Sequence, residues 1–516
     1  MNNEALKVNP WLIAAAVVLP TFMEVLDSSI VSVALSNIAG NLSVSSSQAT
    51  WVQTSYLISN AIVLPTSAWF SALFGRKRFF MASIAIFTLA SFTCGIAPTL
   101  GILVMARVVQ GLGGGAMVPL SQAILMEAFP SEKRGQAMSV WGMAVIVAPV
   151  LGPLLGGWIT ENYSWPWLFY INVPVGVVAS WMVQQFISDP SYLRDAKPGR
   201  IDAIGLGFLT LWLGAQQVVL DKGQDADWFS ALWIRWFSAI AAVSLVALVI
   251  WELRCGSPIM NLRVLKNRNF LLGTILITII GVVVYSPQTL LPLFLQNLLN
   301  YTSLQSGLAQ YPRGVGSLLV LPLVGLLSNR VDNRILIVVG TALTGVSTLM
   351  MGDINLEVAK SSFMLANLIQ GAGMALTFVP VTTTAMGLLR NEEMGNASGL
   401  FNLMRNLGGS IGISMVTTMA TRGAQAHQAF LVAHLTPYDT AYQTALNHAQ
   451  TSLAQTVGAA QAQIMAPGAI YNSLGQQSSL LAYVDDFRWL ALLSFVSILA
   501  VLWMKRVSAQ TTVPVH

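Results

Sequence analysis

The sequence predicts an all-α polytopic membrane protein with fourteen transmembrane helices. Of its 516 residues, 55% are hydrophobic and only 9% are charged, whereas soluble proteins carry roughly 25% charged residues. Apolar runs long enough to cross a bilayer, about 20 residues each, recur along the chain. They lie near residues 11–35, 48–73, 79–97, 99–126, 135–159, 167–187, 201–220, 233–253, 269–297, 305–327, 335–352, 361–386, 395–419 and 487–504. This pattern excludes a soluble protein, and two cysteines are too few for a disulfide-rich one.

The first apolar run follows Lys7 closely and has the place of a signal peptide. Glu24 and Asp27 interrupt it, and thirteen similar runs follow. We therefore expect the first run to stay in the chain as a transmembrane helix.

Lysine and arginine alternate between the two sides of the predicted membrane. If the N-terminus is cytoplasmic, 18 of the 26 basic residues lie in cytoplasmic segments and five lie outside. The remaining three, Arg107, Arg313 and Arg405, lie within spans. Cytoplasmic loops of membrane proteins carry such an excess. We expect both termini in the cytoplasm, and the net charge of +5 needs no nucleic-acid partner.

A weak internal repeat divides the chain. Segment 107–119 begins Arg-x-x-Gln-Gly-x-Gly and ends in Val-Pro, and segment 367–380 begins Asn-x-x-Gln-Gly-x-Gly and ends in the same pair. Each follows a short basic turn, at 75–78 and 329–334, by about 32–35 residues. Self-similarity between halves is typical of transporters that move one bundle against another.

The seventh and eighth apolar runs have no counterpart in this repeat. We therefore predict two six-helix bundles, over residues 1–200 and 255–516, with a two-helix central insert over residues 201–254. The C-terminal bundle includes an outer loop at 420–486.

Several segments together resemble the major facilitator superfamily. They are Gly75-Arg76-Lys77, Arg107-x-x-Gln110-Gly111, Gly152-Pro153-x-x-Gly156-Gly157, Leu26-Asp27 through Leu35, Trp165 through Gly176, Ser257-Pro258-Ile259 and Asn267 through Phe270. The glycine–proline segment is similar to the antiporter motif of its drug–proton exchangers, and the others look like its fourteen-span, EmrB-like multidrug branch. The chain departs from the family in its two basic turns. Ala72-Leu73 stands where the first turn normally carries an acid–base pair. In the second turn, Asn329 stands in place of an acid and Asp332 in place of a glycine.

The resemblance implies a proton-coupled antiporter that exports amphiphilic or toxic compounds across a bacterial inner membrane by alternating access. It also implies a periplasmic membrane-fusion adaptor and an outer-membrane channel as partners. One alternative is export of a native metabolite, such as a fatty acid or siderophore, by the same mechanism. An alternative of another class is a membrane sensor or scaffold that transports nothing.

Ionisable residues within the apolar runs are the candidates for proton coupling, because charge in hydrocarbon is costly. Glu24 and Asp27 lie three residues apart on one helix face. Burial and mutual repulsion there favour keeping at least one of the two acids protonated. Arg107 cannot lose its charge there and needs an acid, a carbonyl or a wet cavity as partner. We predict that it pairs with Asp27. The alternative is that Glu24 and Arg107 only tie neighbouring helices together.

Further polar residues in the runs are candidates for substrate contact or gating. These are Gln53 and Tyr56 in the second run, Gln110 in the fourth, Arg313 in the tenth and Arg405 in the thirteenth. Arg313 and Arg405 could instead extend along the helix to the nearer membrane face, which is the simpler expectation for Arg405.

Gly152, Pro153, Gly156 and Gly157 predict close helix packing and a kink, because glycine admits a neighbouring backbone and proline removes a helix hydrogen bond. The family resemblance associates this segment with exchange rather than cotransport. Ordinary helix packing would use the same residues.

Enzyme chemistry is not indicated. Segments 408–412 and 111–116 match a nucleophile elbow and a dinucleotide fingerprint, but both lie within apolar helical runs rather than at strand ends. The sequence has no Walker phosphate loop, and its four histidines lie outside the runs without metal-binding spacing. We expect no catalytic residue, no metal and no cofactor, with the proton gradient as energy source.

Residues 420–486 form the one long segment outside the predicted runs. This segment is rich in alanine and glutamine, and Pro437 and Pro467-Gly468 interrupt it. We predict two or three short helices there. They could form a solvated cap or, as the resemblance implies, the docking surface for the adaptor.

Overall fold

The computed structural model describes residues 9–189, 202–256, 258–328, 330–433, 435–436 and 438–505. This part of the chain is helical and contains no strand. Several positions used above, namely Lys7, Ser257, Asn329, Pro437 and the predicted boundary at residues 200 and 201, lie outside the described residues.

In the described residues, the first half of the chain forms ten helices. They are α1 (Pro10–Ile30), α2 (Leu35–Asn41), α3 (Ser46–Ala49), α4 (Trp51–Phe74), α5 (Arg76–Gly95), α6 (Leu100–Gly114), α7 (Met117–Ala128), α8 (Arg134–Asn162), α9 (Trp167–Tyr170) and α10 (Asn172–Phe186). α6 and α7 follow each other closely and occupy one predicted run. α9 and α10 occupy another.

The rest of the described chain forms nine further helices. They are α11 (Ala203–Lys222), α12 (Leu232–Arg254), α13 (Arg268–Asn297), α14 (Ser303–Leu327), α15 (Asn333–Met351), α16 (Lys360–Met386), α17 (Asn391–Val432), α18 (Thr440–Val457) and α19 (Ala459–Leu502). α11 packs against α12, α4 and α17.

Within the described residues, eleven helical stretches are long and apolar enough to cross a membrane. The other three predicted runs coincide with α14, α17 and α19, which are long helices that fall outside those eleven. Large apolar side chains such as Leu89, Met105 and Val243 are more than 60% exposed on the outer surface. A surface of this kind is suited to lipid rather than water.

Neighbouring long helices run in opposite directions, so their ends gather at two faces. We call the face that holds Pro10 and Leu502 the terminal end, and the opposite face the far end. At the terminal end, Arg76 at the start of α5 pairs with Glu127 near the end of α7 (2.6 Å). There also, Asn269 at the start of α13 donates to the carbonyl of Lys505 (2.9 Å).

The two halves of the chain touch near the terminal end through a buried polar cluster. Ser398 Oγ and Asn402 Nδ2 on α17 both donate to Gln122 Oε1 on α7, each at 2.7 Å. Beside them, Gly399 lies against the carbonyl of Leu64, where a Cβ atom would come within 2.6 Å of the oxygen. We call Gln122, Ser398 and Asn402 the terminal latch, because they join the halves at this end.

Residues 420–486, which were predicted to form two or three short helices, belong mainly to long helices. α17 continues without a break for 42 residues, to Val432, and α19 is a single helix of 44 residues that contains Pro467. The predicted break at Pro467-Gly468 is therefore wrong. The chain turns instead at Gly458, whose φ of +85° is a backbone conformation that glycine adopts without a side-chain clash.

Candidate functional site

Asp27 and Arg107 form an ion pair inside the first half. Arg107 Nη1 on α6 donates to Asp27 Oδ2 on α1 at 2.6 Å, and both side chains are 0% exposed. Because neither group reaches water, each charge is compensated by the other. The structure thus brings together the acid and the base that the sequence predicted as partners.

Two amides complete the surroundings of Asp27. Gln110 Nε2 and Asn172 Nδ2 both donate to Asp27 Oδ1, at 3.0 and 2.7 Å. Asn172 also donates to Ser91 Oγ (3.0 Å). Three hydrogen bonds from α6 and α10 thus hold the Asp27 carboxylate in place.

The Arg107 guanidinium has further contacts around its edge and on its face. Nε donates to the carbonyl of Val52 on α4 (3.0 Å), and Nη1 also donates to Gln110 Oε1 (2.6 Å). The ring of Tyr56 lies 4.1 Å from the guanidinium carbon, as in a cation–π contact. One nitrogen, Nη2, has no hydrogen-bond partner among the described residues.

Glu24 lies one helical turn before Asp27 in a separate polar contact. Tyr56 Oη and Asn60 Nδ2, both on α4, each donate to Glu24 Oε1 at 2.9 Å. Gly114 makes room for this contact, since a Cβ atom there would lie 3.2 Å from Glu24 Cγ. Tyr56 therefore contacts Glu24 through its hydroxyl and Arg107 through its ring.

A narrow cavity lies between the two halves. Residues of α8, α13, α14, α16 and α17 line it. Among the described residues, the charged ones in its lining are Arg313 and Arg405, and Gln288 and Tyr285 add further polar groups. A largely apolar cavity with a few polar groups is the usual form of a small-molecule site.

Arg313 is buried, with 3% exposure, and does not extend to a membrane face. Its Nε and Nη2 atoms both donate to Asn367 Oδ1 on α16, at 3.2 and 2.9 Å. Asn367 occupies the position in the second repeat that Arg107 occupies in the first. The second half therefore holds an arginine–amide contact where the first half holds an ion pair.

Arg405 is also buried, at 6% exposure, so the expectation that it reaches a membrane face is wrong. Its backbone carbonyl packs directly against Gly281, which fixes α17 against α13 and points the side chain into the cavity. Its guanidinium carbon lies 5.7 Å from the ring of Phe378. Nε and Nη1 have no hydrogen-bond partner in the described part of the chain.

The glycine–proline segment lies within the continuous helix α8. Gly152 packs against α1, where any Cβ atom would overlap Ser29. Pro153 has no N–H to give to the carbonyl of Pro149, and Gln288 Nε2 on α13 donates to that carbonyl instead (3.5 Å). Gly156 is buried, whereas Gly157 faces open space.

The basic turn after α4, at residues 75–78, is bound by acids of the first half. Arg76 Nη1 and Nη2 donate to the two carboxylate oxygens of Glu127, at 2.6 and 3.1 Å. The backbone N–H of Lys77 donates to Asp189 Oδ1 (2.8 Å). Glu127 and Asp189 thus supply acids to a turn whose own acid is replaced by Ala72.

Several residues of this site were not predicted from the sequence, and one predicted residue, Gln53, lies apart from it. Asn60, Asn172 and Gln288 were not among the predicted residues, although Asn172 lies in a segment that carries the family resemblance. In the sequence, these three residues could be recognised only as single amide side chains within apolar runs. Gln53 is half-buried near the start of α4 and takes part in none of the hydrogen bonds described above.

Comparisons with known proteins agree with this architecture. Residues 17–413 match the family model of the Major Facilitator Superfamily. The chain is 35% identical to the multidrug export protein EmrB of Haemophilus influenzae, over 98% of this chain and 99% of that protein. It is 35% identical to the fatty acid resistance protein FarB of Neisseria gonorrhoeae, over 95% and 94%. The solved proton:xylose symporter XylE has a similar fold, with a TM-score of 0.59, 13% identity and coverage of 97% of both chains.

Proposed function

Because the chain belongs to the major facilitator superfamily, in its EmrB-like branch, we propose that it is a proton-coupled antiporter that exports amphiphilic toxic compounds across a bacterial inner membrane. The observation that carries the proposal is the fully buried ion pair of Asp27 and Arg107. In the proposed cycle this carboxylate alternates between an ionised form paired with the guanidinium and a protonated form released from it. Alternation between them is what proton coupling requires.

We assign fourteen transmembrane helices to the chain. In this arrangement α14, α17 and α19 cross the membrane together with the eleven apolar stretches, and α11 and α12 form an insert between two six-helix bundles. The terminal end faces the cytoplasm, as the distribution of lysine and arginine predicts. The far end then faces the periplasm.

Protonation of Asp27 would weaken its hold on Arg107. Neutralising the acid removes the attraction and leaves the guanidinium with the carbonyl of Val52, with Gln110 and with the ring of Tyr56. Tyr56 would transmit a movement of Arg107 to Glu24, because it contacts both. In this scheme Asp27 carries the transported proton, and Glu24 tunes the exchange.

If the terminal end faces the cytoplasm, as proposed, the terminal latch closes the cavity toward that side. Gln122, Ser398 and Asn402 must separate before substrate can enter the cavity from that side. Gly152 supports the motion because its close contact with Ser29 keeps α1 and α8 together as one body. One proton that crosses about 100 mV releases roughly 2.3 kcal/mol, which is enough to drive substrate against a gradient of tens-fold.

The helices beyond the bundle would serve a periplasmic partner. α17 and α19 exceed the length that a membrane requires, and α18 packs against α19. Exposed apolar side chains there include Phe430, Ile464 and Tyr471. We propose that they contact a membrane-fusion adaptor that leads to an outer-membrane channel.

A second candidate function is the export of acidic amphiphiles such as fatty acids. Arg405 offers two buried, unpartnered N–H groups to the cavity. In the described residues the cavity lining holds no acid, although the charge of Glu24, which lies outside the lining, acts on Arg405. A carboxylate-bearing substrate would supply the missing acceptor, and the resistance to fatty acids named for FarB is in line with this.

The test uses purified protein in liposomes loaded with a fluorescent amphiphilic dye. We expect an imposed pH gradient to drive dye movement, and dye movement to carry protons in the opposite direction. A non-transporting sensor or scaffold would move neither. Competition by a fatty acid and by a cationic dye then separates the first candidate from the second.

A further inference from the structure

Two carboxylates that play no part in the site above meet at the terminal end of the inserted helices. Asp202 caps the start of α11, where its Oδ1 accepts from the N–H of Gly205 (2.8 Å). Glu252 lies in the last turn of α12. Asp202 is 6% exposed and Glu252 is 1% exposed, so both are buried in protein.

One oxygen of each carboxylate lacks a hydrogen-bond donor. Asp202 Oδ2 and Glu252 Oε1 have no partner among the described residues. Both converge on Gly205, since a Cβ atom built there would come closer than 3.0 Å to each of them. A side chain at this position would separate the two acids, and glycine lets them approach.

The other oxygen of each carboxylate accepts a hydrogen bond from a neighbouring element. Asp202 Oδ1 also accepts from Trp251 Nε1 (2.8 Å), and Glu252 Oε2 accepts from the N–H of Met260 (3.3 Å). Met260 belongs to the connector between the insert and the second half, which we define as residues 258–267.

The connector in turn binds α17 next to the terminal latch. Asn261 N–H donates to Asn396 Oδ1 (3.1 Å), and Asn396 Nδ2 donates back to the Asn261 carbonyl (3.0 Å). Asn396 lies two residues before Ser398, which contacts Gln122 across the two halves. An unbroken series of contacts therefore leads from the acid pair to the latch.

Within the part of the chain that the structure describes, charges near the pair do not compensate it. Among the described residues the charge that acts on Glu252 is that of Asp202. The charged side chains on the adjoining elements are exposed, as with Arg254, Arg263, Lys266 and Arg268, or paired with each other, as with Arg390 and Glu393. Two buried carboxylates that face each other without a cation cannot both be ionised at low cost.

We infer that Asp202 and Glu252 share one proton, and that the protonated pair holds the connector against α17. With the proton present, one carboxyl O–H donates to the facing carboxylate, which satisfies both free oxygens. When the proton leaves, two like charges repel across Gly205 and Glu252 withdraws from Met260. The connector is therefore held at lower pH and released as the pH rises. This inference does not depend on which compound the protein moves.

The experiment measures hydrogen exchange of connector peptides in detergent-solubilised full-length protein, without substrate or gradient. In the wild type we expect exchange, corrected for its intrinsic pH dependence, to rise about tenfold between about pH 6 and pH 9. Glu252→Gln supplies an N–H to Asp202 and a carbonyl to Met260 at every pH. Its connector should stay protected throughout, and Asp202→Asn should behave in the same way.

The matched control is Glu161→Gln, which changes an exposed carboxyl on α8 and should follow the wild type. Infrared difference spectra add a second readout, since the wild type should show a protonated carboxyl band that both pair variants lose. Equal pH dependence in wild type and Glu252→Gln would overturn the inference. Protection that a chelator removes and magnesium or calcium restores would show that the pair binds a metal cation instead.

Discussion

The centroid of the Tyr56 ring lies 4.1 Å from the guanidinium carbon of Arg107, and the hydroxyl of the same tyrosine donates to Glu24. One side chain therefore contacts both charge sites of the first half. A shift of Arg107 that displaced the ring would also move the hydroxyl. Under the proposed function this tyrosine couples the acid that carries the proton to the acid that tunes it.

Asp27→Asn should abolish proton-driven transport. The amide keeps the shape of the side chain and an oxygen acceptor for Gln110 and Asn172, but it cannot lose a proton. Transport in liposomes under a pH gradient measures the effect, and protein yield in the membrane should remain near that of the wild type. Asp485→Asn, which alters a half-exposed acid beside His427, is the control. Wild-type pH-dependent rates in Asp27→Asn would remove this residue from the mechanism.

Tyr56→Phe separates the two contacts of the tyrosine. The ring against Arg107 remains while the hydrogen bond to Glu24 is lost, so this variant should resemble Glu24→Gln. Both should keep transport but shift its pH optimum or narrow the range of cationic substrates. Tyr56→Leu removes both contacts and should be more severe. If Glu24→Gln is as severe as Asp27→Asn, the two acids share the proton-carrying role.

Arg107→Lys should strongly reduce turnover with near-normal expression. An ammonium on a flexible chain cannot reproduce the fixed fork of a guanidinium, which reaches Asp27, Gln110 and the Val52 carbonyl together. Arg107→Ala leaves the buried acid unpaired, and should lower stability by about 3–5 kcal/mol at a pH where Asp27 is ionised. Turnover number and thermal unfolding measure the two effects. A fully active alanine variant would show that the ion pair has no role in transport.

Arg405→Gln tests the substrate side of the cavity. Loss of the cation should reduce export of acidic amphiphiles about tenfold or more, because a charged hydrogen bond contributes about 1.5–3 kcal/mol. Export of cationic dyes should be retained. The control is Arg422→Gln, at a half-exposed arginine that pairs with Asp227 outside the cavity. Equal loss for acidic and cationic substrates would assign Arg405 to gating.

Deletion of residues 440–480 tests the adaptor proposal. It removes α18 and the outer half of α19, and leaves the cavity and both charge sites intact. Proton-coupled transport in inner-membrane vesicles should persist, while resistance of whole cells should fall. Normal values in both assays would indicate a simple cap. Loss of transport in vesicles would show that these helices gate the far end.

The sequence carried enough information to locate the helices and the ion pair. Charged residues in apolar runs are rare and costly, so Asp27 and Arg107 stood out without any tertiary information. The amide side chains that donate hydrogen bonds in the site did not stand out in the sequence. Asn60, Asn172 and Gln288 are ordinary amides in sequence, and only the packing of α4, α10 and α13 gives each one its acceptor.

The outer helices were missed for a different reason. Proline inside a polar, alanine-rich segment usually ends a helix, which led to short helices around Pro467. In the structure, α19 continues through that proline and packs against α17 and α18. Tertiary contacts of this kind outweigh local propensity, and local sequence does not record them.

The length of α17 has a mechanical consequence. Its last 13 residues, from Ala420 to Val432, extend about 20 Å at 1.5 Å per residue. A rigid-body rotation of about 15°, typical of domain transitions, would swing the tip of that lever through roughly 5 Å relative to the first half. Under the proposed function, a partner bound at the end of α17 would be displaced in each transport cycle, because this helix would convert a rotation within the membrane into a movement outside it.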